Sequence, residues 1–187
     1  MLLELAAAFG AALALWLVVW LVLTTYNGVV ALRQRIDKAW TNVGVALEQR
    51  HDELPRLLDA VRDLMRFERD VLEEVTRLRA AYRPDEPIPV QAATAAATSS
   101  AVRNLFATLE QYPAIRAQEN VLDLQDEIER LETVIADRRE LYNDMVALYN
   151  IRISQVPGAF LAPIFGWRMR PLFGAEPIER EQSRDSL

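Results

Sequence analysis

The sequence predicts an all-α protein: an N-terminal transmembrane helix that continues into an antiparallel up-down four-helix bundle, closed by a C-terminal apolar interfacial segment. Three observations carry that expectation. Residues 5–25, LAAAFGAALALWLVVWLVLTT, form an uncharged apolar run. After it, apolar residues recur at three- and four-residue spacing. No stretch of the remaining chain alternates with the period of two that a half-buried strand requires. The implied organisation is an anchor over 1–25, a bundle over 26–155, an apolar membrane-proximal segment over 156–174 and a disordered tail over 175–187.

At a helical rise of about 1.5 Å per residue, the run from Leu5 to Thr25 is roughly 31 Å long, matching a hydrocarbon core of about 30 Å. The chain opens Met-Leu-Leu-Glu, without the basic leader and small-residue cleavage site of a signal peptide, so the anchor is expected to stay. Trp16 and Trp20 lie within the span, and Tyr26 stands at its exit, where an amphipathic ring suits the headgroup layer. Glu4 is the only charge before the span, whereas Arg33, Arg35 and Lys38 follow it closely. Basic residues are retained in the cytoplasm, so the expectation is a single-pass protein of the plasma (bacterial inner) membrane with its bundle on the cytoplasmic side.

Composition excludes several functions. The 187 residues carry 21 basic and 27 acidic side chains, a net charge of −6, which argues against a nucleic-acid footprint and a generally cationic surface. There are no cysteines, so disulfides, thiol catalysis and cysteine-based metal sites are ruled out. His51 is the lone histidine. It completes an E-x-x-H with Glu48, half of a di-iron bundle signature, but a second such motif would need a second histidine. Histidine-rich zinc sites and histidine-assisted nucleophiles fail for the same reason. No cofactor, metal or catalytic set is expected, and the protein reads as no enzyme. His51 beside Asp52 reads as a solvated helix-end residue.

The elements follow in order. Tyr26, Val29, Ile36, Trp40, Val43 and Leu47 continue the anchor as the first bundle helix, with Arg33 in the vacant slot of the stripe. In HDELP, Asp52 offers an N-cap before a proline in a first turn, predicting that a second helix starts there. Its stripe is Leu54, Leu57, Val61, Leu64, Glu68, Val71, Val75, Leu78 and Tyr82. RPDEPIP, with three prolines, predicts a loop. QAATAAATSSA is rich in alanine, the best helix former, and leads into Val102, Leu105, Phe106 and Leu109, so a third helix is expected there. Tyr112-Pro113 ends it. Val121, Leu124, Ile128, Leu131, Ile135, Tyr142, Met145 and Tyr149 mark a long fourth helix.

Four helices with short connections bring the chain near Ile153 back to the lipid surface. The segment from Val156 to Phe173 is apolar but too short and proline-broken to span. One reading sets Phe160, Phe165, Trp167 and Phe173 against lipid with Arg168 and Arg170 at the headgroups; the other has it cover the bundle end or a neighbouring subunit. If the first two helices turn near His51, Arg33 stands level with Glu68 and near Tyr142 and Asn143. This predicts an ion pair within a structural polar layer, or else side chains leaning out to solvent. The Tyr-Asn pairs at Tyr26-Asn27 and Tyr149-Asn150 fall at similar heights, where amides and phenols fix register more often than they bind ligands.

Read together, YNGVVALRQRIDKAW, TNVGVALEQRHDELPRLL, YPAIRAQENVLDLQDEIERLE and IADRRELYNDMVALYN resemble the LemA family in order and spacing. The resemblance extends from Tyr26 to Trp167, with a late FGW where the family tends to have Gly-Phe, and touches Glu119, Asn120 and Gln125. It implies a membrane-anchored, mostly antiparallel helical bundle without a well-established activity. The lipobox cysteine of some members is absent here.

The functional expectation is a non-enzymatic membrane-tethered scaffold or adaptor of coiled-coil character that self-associates through its anchor and long helices. Its partners would be the lipid bilayer, further copies of itself as a homo-oligomer and unidentified membrane proteins, with no nucleic acid. The alternatives are a membrane-remodelling oligomer and a regulatory or sensory component of envelope-stress or membrane-protease systems.

Overall fold

A computed structural model describes residues 1–62 and 68–174 of the chain. It is all-helical, with α1 (Leu2–Arg62), α2 (Arg69–Ala81), α3 (Ile88–Leu109), the single turn α4 (Pro113–Arg116), α5 (Glu119–Ser154) and α6 (Gly158–Phe165). Leu64 of the second stripe and the tail over 175–187 lie outside the described residues. The chain divides into two compact units: Met1–Ala39 with Asn143–Arg170, and Trp40–Tyr142 with Pro171–Leu187.

The second unit contains the bundle. Leu54, Leu57, Leu58 and Val61 of α1 pack with Val75 and Leu78 of α2, with Ala101, Val102, Leu105 and Leu109 of α3, and with Val121 and Ile128 of α5 in one core. Short connections force consecutive long helices to run antiparallel. The alanine-rich stretch is helical as its propensity predicts, and Ala92, Ala95 and Ala101 face inward. α3 starts at Ile88, three residues earlier than the sequence indicated, because Pro87 and Pro89 sit in the flanking and first-turn positions where a missing N–H costs nothing. Gln91 reinforces this corner, donating from Nε2 to the carbonyls of Pro84 and Glu86.

One expectation is corrected. No helix starts at Asp52: α1 passes unbroken through His51 and Pro55 to Arg62. Proline inside a helix withholds the N–H that the carbonyl four residues earlier would accept. For Pro55 that carbonyl belongs to His51, and the Arg79 Nε–H of α2 donates to it at 3.1 Å. The orphaned acceptor is thus satisfied from a neighbouring helix, and the local stop signal is overridden.

The first unit joins the early part of α1 to the end of α5 and to α6. None of the 18-residue apolar window in α1 is buried, and the helix is long and apolar enough to cross a membrane. Beyond it, Thr25, Val29, Ile36 and Ala39 of α1 and Val146, Tyr149 and Ile153 of α5 are buried.

α6 turns back on α5 through a cis Val156–Pro157 bond. A Cβ added to Gly158 would lie 2.1 Å from the Arg152 carbonyl oxygen, so only glycine fits that approach. Gly158→Ala should therefore dislodge α6, seen as faster proteolysis between Gln155 and Trp167 than in the parent. At the other end Gly166 takes the left-handed conformation (φ +65°), and the Trp167 N–H caps Ala162.

Candidate functional site

Two places concentrate the polar and aromatic side chains. The first is a buried layer in the second unit. Arg50 is 3% exposed on the inner face of α1. Its Nη1 donates at 2.8 Å both to Glu132 on α5 and to Ser99 Oγ on α3, and Nη2 reaches the Ala95 carbonyl at 3.4 Å. Ser99 in turn donates to the other Glu132 oxygen at 2.6 Å. A buried guanidinium is tolerable only when it is paired and hydrogen-bonded, and two other helices, α3 and α5, supply those partners here. The sequence reading missed this layer. The available signal was Arg50 falling three residues after Leu47 and four before Leu54, on the core stripe of α1.

His51 sits one step round the helix. It is half-buried in mid-helix, not the solvated helix-end residue expected, and its ring lies 5.6 Å from that of Tyr82. Its Nδ1 is buried without a hydrogen-bond partner. Burial pushes the imidazole below its ordinary value of 6.5; Arg79 pushes the same way, against Asp52 and Glu48. A lowered folded value means that the unfolded chain takes up the proton first. Stability is therefore complete above about pH 6.5 and is lost as pH falls through the lower folded value. His51→Gln should flatten that part of the profile, measured as urea midpoints across the window; an unchanged slope would assign it to carboxylates.

The two residues of the expected Arg33–Glu68 pairing fall in different units. Arg33 is exposed on α1. Glu68, just before α2, accepts a hydrogen bond from the Tyr112 hydroxyl at 2.9 Å, which pushes the Tyr112 phenol up. The pairing assumed a reversal near His51, whereas α1 runs on to Arg62. Tyr142 is fully buried, its ring tilted against that of Trp40 at 5.4 Å, and donates to the Pro171 carbonyl at 3.0 Å. Asn143 is half-buried beside it in sequence.

The second place is the end of the first unit. Tyr26 meets Phe165 at 5.0 Å and Trp167 at 6.1 Å, and those two rings stack at 5.3 Å. Asn150 grips the main chain of Arg170 twice, donating to its carbonyl at 3.0 Å and accepting its N–H at 2.9 Å. The Arg170 guanidinium pairs with Asp37 and lies 6.0 Å over the ring of Tyr149. Asn27 is exposed. Tyr26 and Tyr149 thus take separate partners, although both come from the register set.

Two of the proposed lipid-facing rings are corrected. Trp167 is 7% and Phe173 3% exposed, because each has an aromatic partner within the protein: Tyr26 and Phe165 for the former, Trp40 at 5.8 Å for the latter. Phe160 (70%) and Phe165 (41%) remain open to the surroundings. Arg168 is exposed and Arg170 is occupied as described. Gln125 is buried on α5, while Glu119 and Asn120 are exposed in its first turn.

Among the described residues no three His, Asp or Glu side chains gather where they could hold a metal ion. Glu48 of the E-x-x-H is exposed, one turn from a half-buried His51.

The fold and its sites define an all-helical bundle protein with an extended apolar N-terminal helix. The LemA family model matches residues 39–184, and the chain belongs to the LemA family. It is similar to the magnetosome proteins MamQ 2 and MamQ 1 of Paramagnetospirillum magneticum, each 35% identical over 78 residues. It also resembles the magnetosome protein MamQ of Magnetospirillum gryphiswaldense, 31% identical over 78 residues. Each alignment covers 42% of this chain and only 29% of the relative's own length.

Proposed function

We propose that this LemA-family protein is a non-enzymatic, membrane-anchored scaffold or adaptor that self-associates, held by α1 in the inner membrane with its bundle on the cytoplasmic side. The observation that carries the reading is the continuity of α1. One helix offers a fully exposed apolar stretch long enough to cross a bilayer and, without a break, the first strut of a packed bundle. An exposed stretch of that kind needs a hydrocarbon environment. The polar clusters support a structural role, since Arg50, Ser99 and Glu132 satisfy one another around a guanidinium that is almost wholly buried.

Detergent-purified protein examined by size-exclusion chromatography with light scattering tests the self-association. A discrete small oligomer is the expected result. A monomer at all concentrations would overturn it, and a large ordered particle would replace it with membrane remodelling.

A further inference from the structure

Charge is segregated between the two units. Met1–Ala39 and Asn143–Arg170 contain six basic residues (Arg33, Arg35, Lys38, Arg152, Arg168, Arg170) against three acidic ones (Glu4, Asp37, Asp144), a net of +3. With −6 on the whole chain, the remainder carries −9. Glu4 precedes the apolar run, so the part of the first unit that follows the run is more basic still.

The same unit exposes a set of large apolar side chains. Val156 is 74%, Phe160 70%, Ile164 72% and Met169 69% exposed. Phe160 and Ile164, four apart on α6, share one helix face. The height of α6 is fixed by Tyr26, one residue beyond the apolar run, which holds Phe165 and Trp167. Gly158 seats one end of α6 against the Arg152 carbonyl and Gly166 caps the other, so the face is held in a defined pose.

We propose that α6 is a second membrane contact, a foot whose Phe160–Ile164 face enters the interface of an anionic leaflet where α1 leaves it, with Arg168, Arg152 and Arg33 on the headgroups. This rests on the reading of α1 as a span. Interfacial binding needs an apolar face and attraction to anionic lipid, and both occur here at one level. Long arginine arms reach a headgroup plane while their stems lie along apolar surface. Charge also selects lipid over a second copy as the occupant: another copy would bring like charge to the same height, whereas an anionic leaflet brings the opposite sign.

The absence of cysteine allows single nitroxide labels on the otherwise intact chain. Full-length Ile164→Cys, Val18→Cys and Glu129→Cys are placed in nanodiscs of phosphatidylcholine, alone or mixed with phosphatidylglycerol, and collision with oxygen and with a water-soluble nickel chelate is compared. The expected result is Val18 deep, Ile164 at interfacial depth with a several-fold higher oxygen-to-nickel ratio than Glu129, and Glu129 in water. The Ile164 ratio should fall without phosphatidylglycerol and upon Arg168→Glu. Ile164 as wet as Glu129 with Val18 still deep overturns the foot and leaves the anchor standing. Ile164 shielded from both agents in either lipid overturns it in favour of a protein cover. Equal depth in the two lipids overturns the anionic preference. Val18 in water overturns the anchor and the foot together.

Discussion

Glu132→Ala is expected to lower the unfolding free energy by about 3 kcal/mol, the low end of the roughly 3–5 kcal/mol found when one partner of a buried ion pair is removed. The low end applies because the Glu132 side chain is 25% exposed whereas that of Arg50 is 4% exposed. Without the carboxylate, the guanidinium keeps only Ser99 Oγ and the long contact to the Ala95 carbonyl. The double variant Arg50→Met, Glu132→Leu should recover most of the loss, since well-packed apolar replacements often match a buried pair. Urea denaturation of Arg50→Met, of Glu132→Leu and of the double variant gives the coupling directly. Additive single effects would show that the layer does not act as a unit.

Phe173→Ala should cost about 3 kcal/mol, as truncation of a buried aromatic ring commonly does. The ring is 3% exposed, packs 5.8 Å from Trp40 and lies under the Arg139 guanidinium at 6.0 Å. Leu172→Ala next to it, at a position 36% exposed, should stay within about 0.5 kcal/mol. The contrast separates a ring that belongs to the bundle core from a segment that merely lies on it. If both variants unfolded at the parent's midpoint, the packing around Trp40 and Tyr142 would contribute nothing to stability.

Much of this architecture can be read without coordinates, for identifiable reasons. An amphipathic helix writes its inner face at three- and four-residue intervals, so Val29, Ile36, Val43 and Leu47, or Val121, Ile128, Leu131 and Tyr142, announce themselves as core. The long apolar N-terminal helix is equally plain, because a run of about twenty uncharged residues is what a helix long and apolar enough to cross a membrane requires.

What escaped reading depends on partners distant in sequence. Pro55 looks like a first-turn residue until Arg79 is seen supplying the hydrogen bond that the proline withholds. Arg50 looks like any surface arginine until Ser99 and Glu132 are brought to it by two other helices. A proline-broken apolar run reads alike whether lipid or protein receives it, so the division between buried Trp167 and Phe173 and open Phe160 was not visible. The Arg33–Glu68 expectation rested on the first of these, since one misplaced turn shifts every pairing that follows.

The two bonds from Asn150 to Arg170 involve only main-chain atoms of the latter. A clasp of this sort is indifferent to what hangs from the peptide it holds. Mutational drift at Met169, or replacement of the Arg170 side chain with loss of its Asp37 partner, leaves both bonds in place. Tolerance here should therefore be uneven, generous at positions held by their amides and strict at Asn150, where a single change lets the whole peptide go.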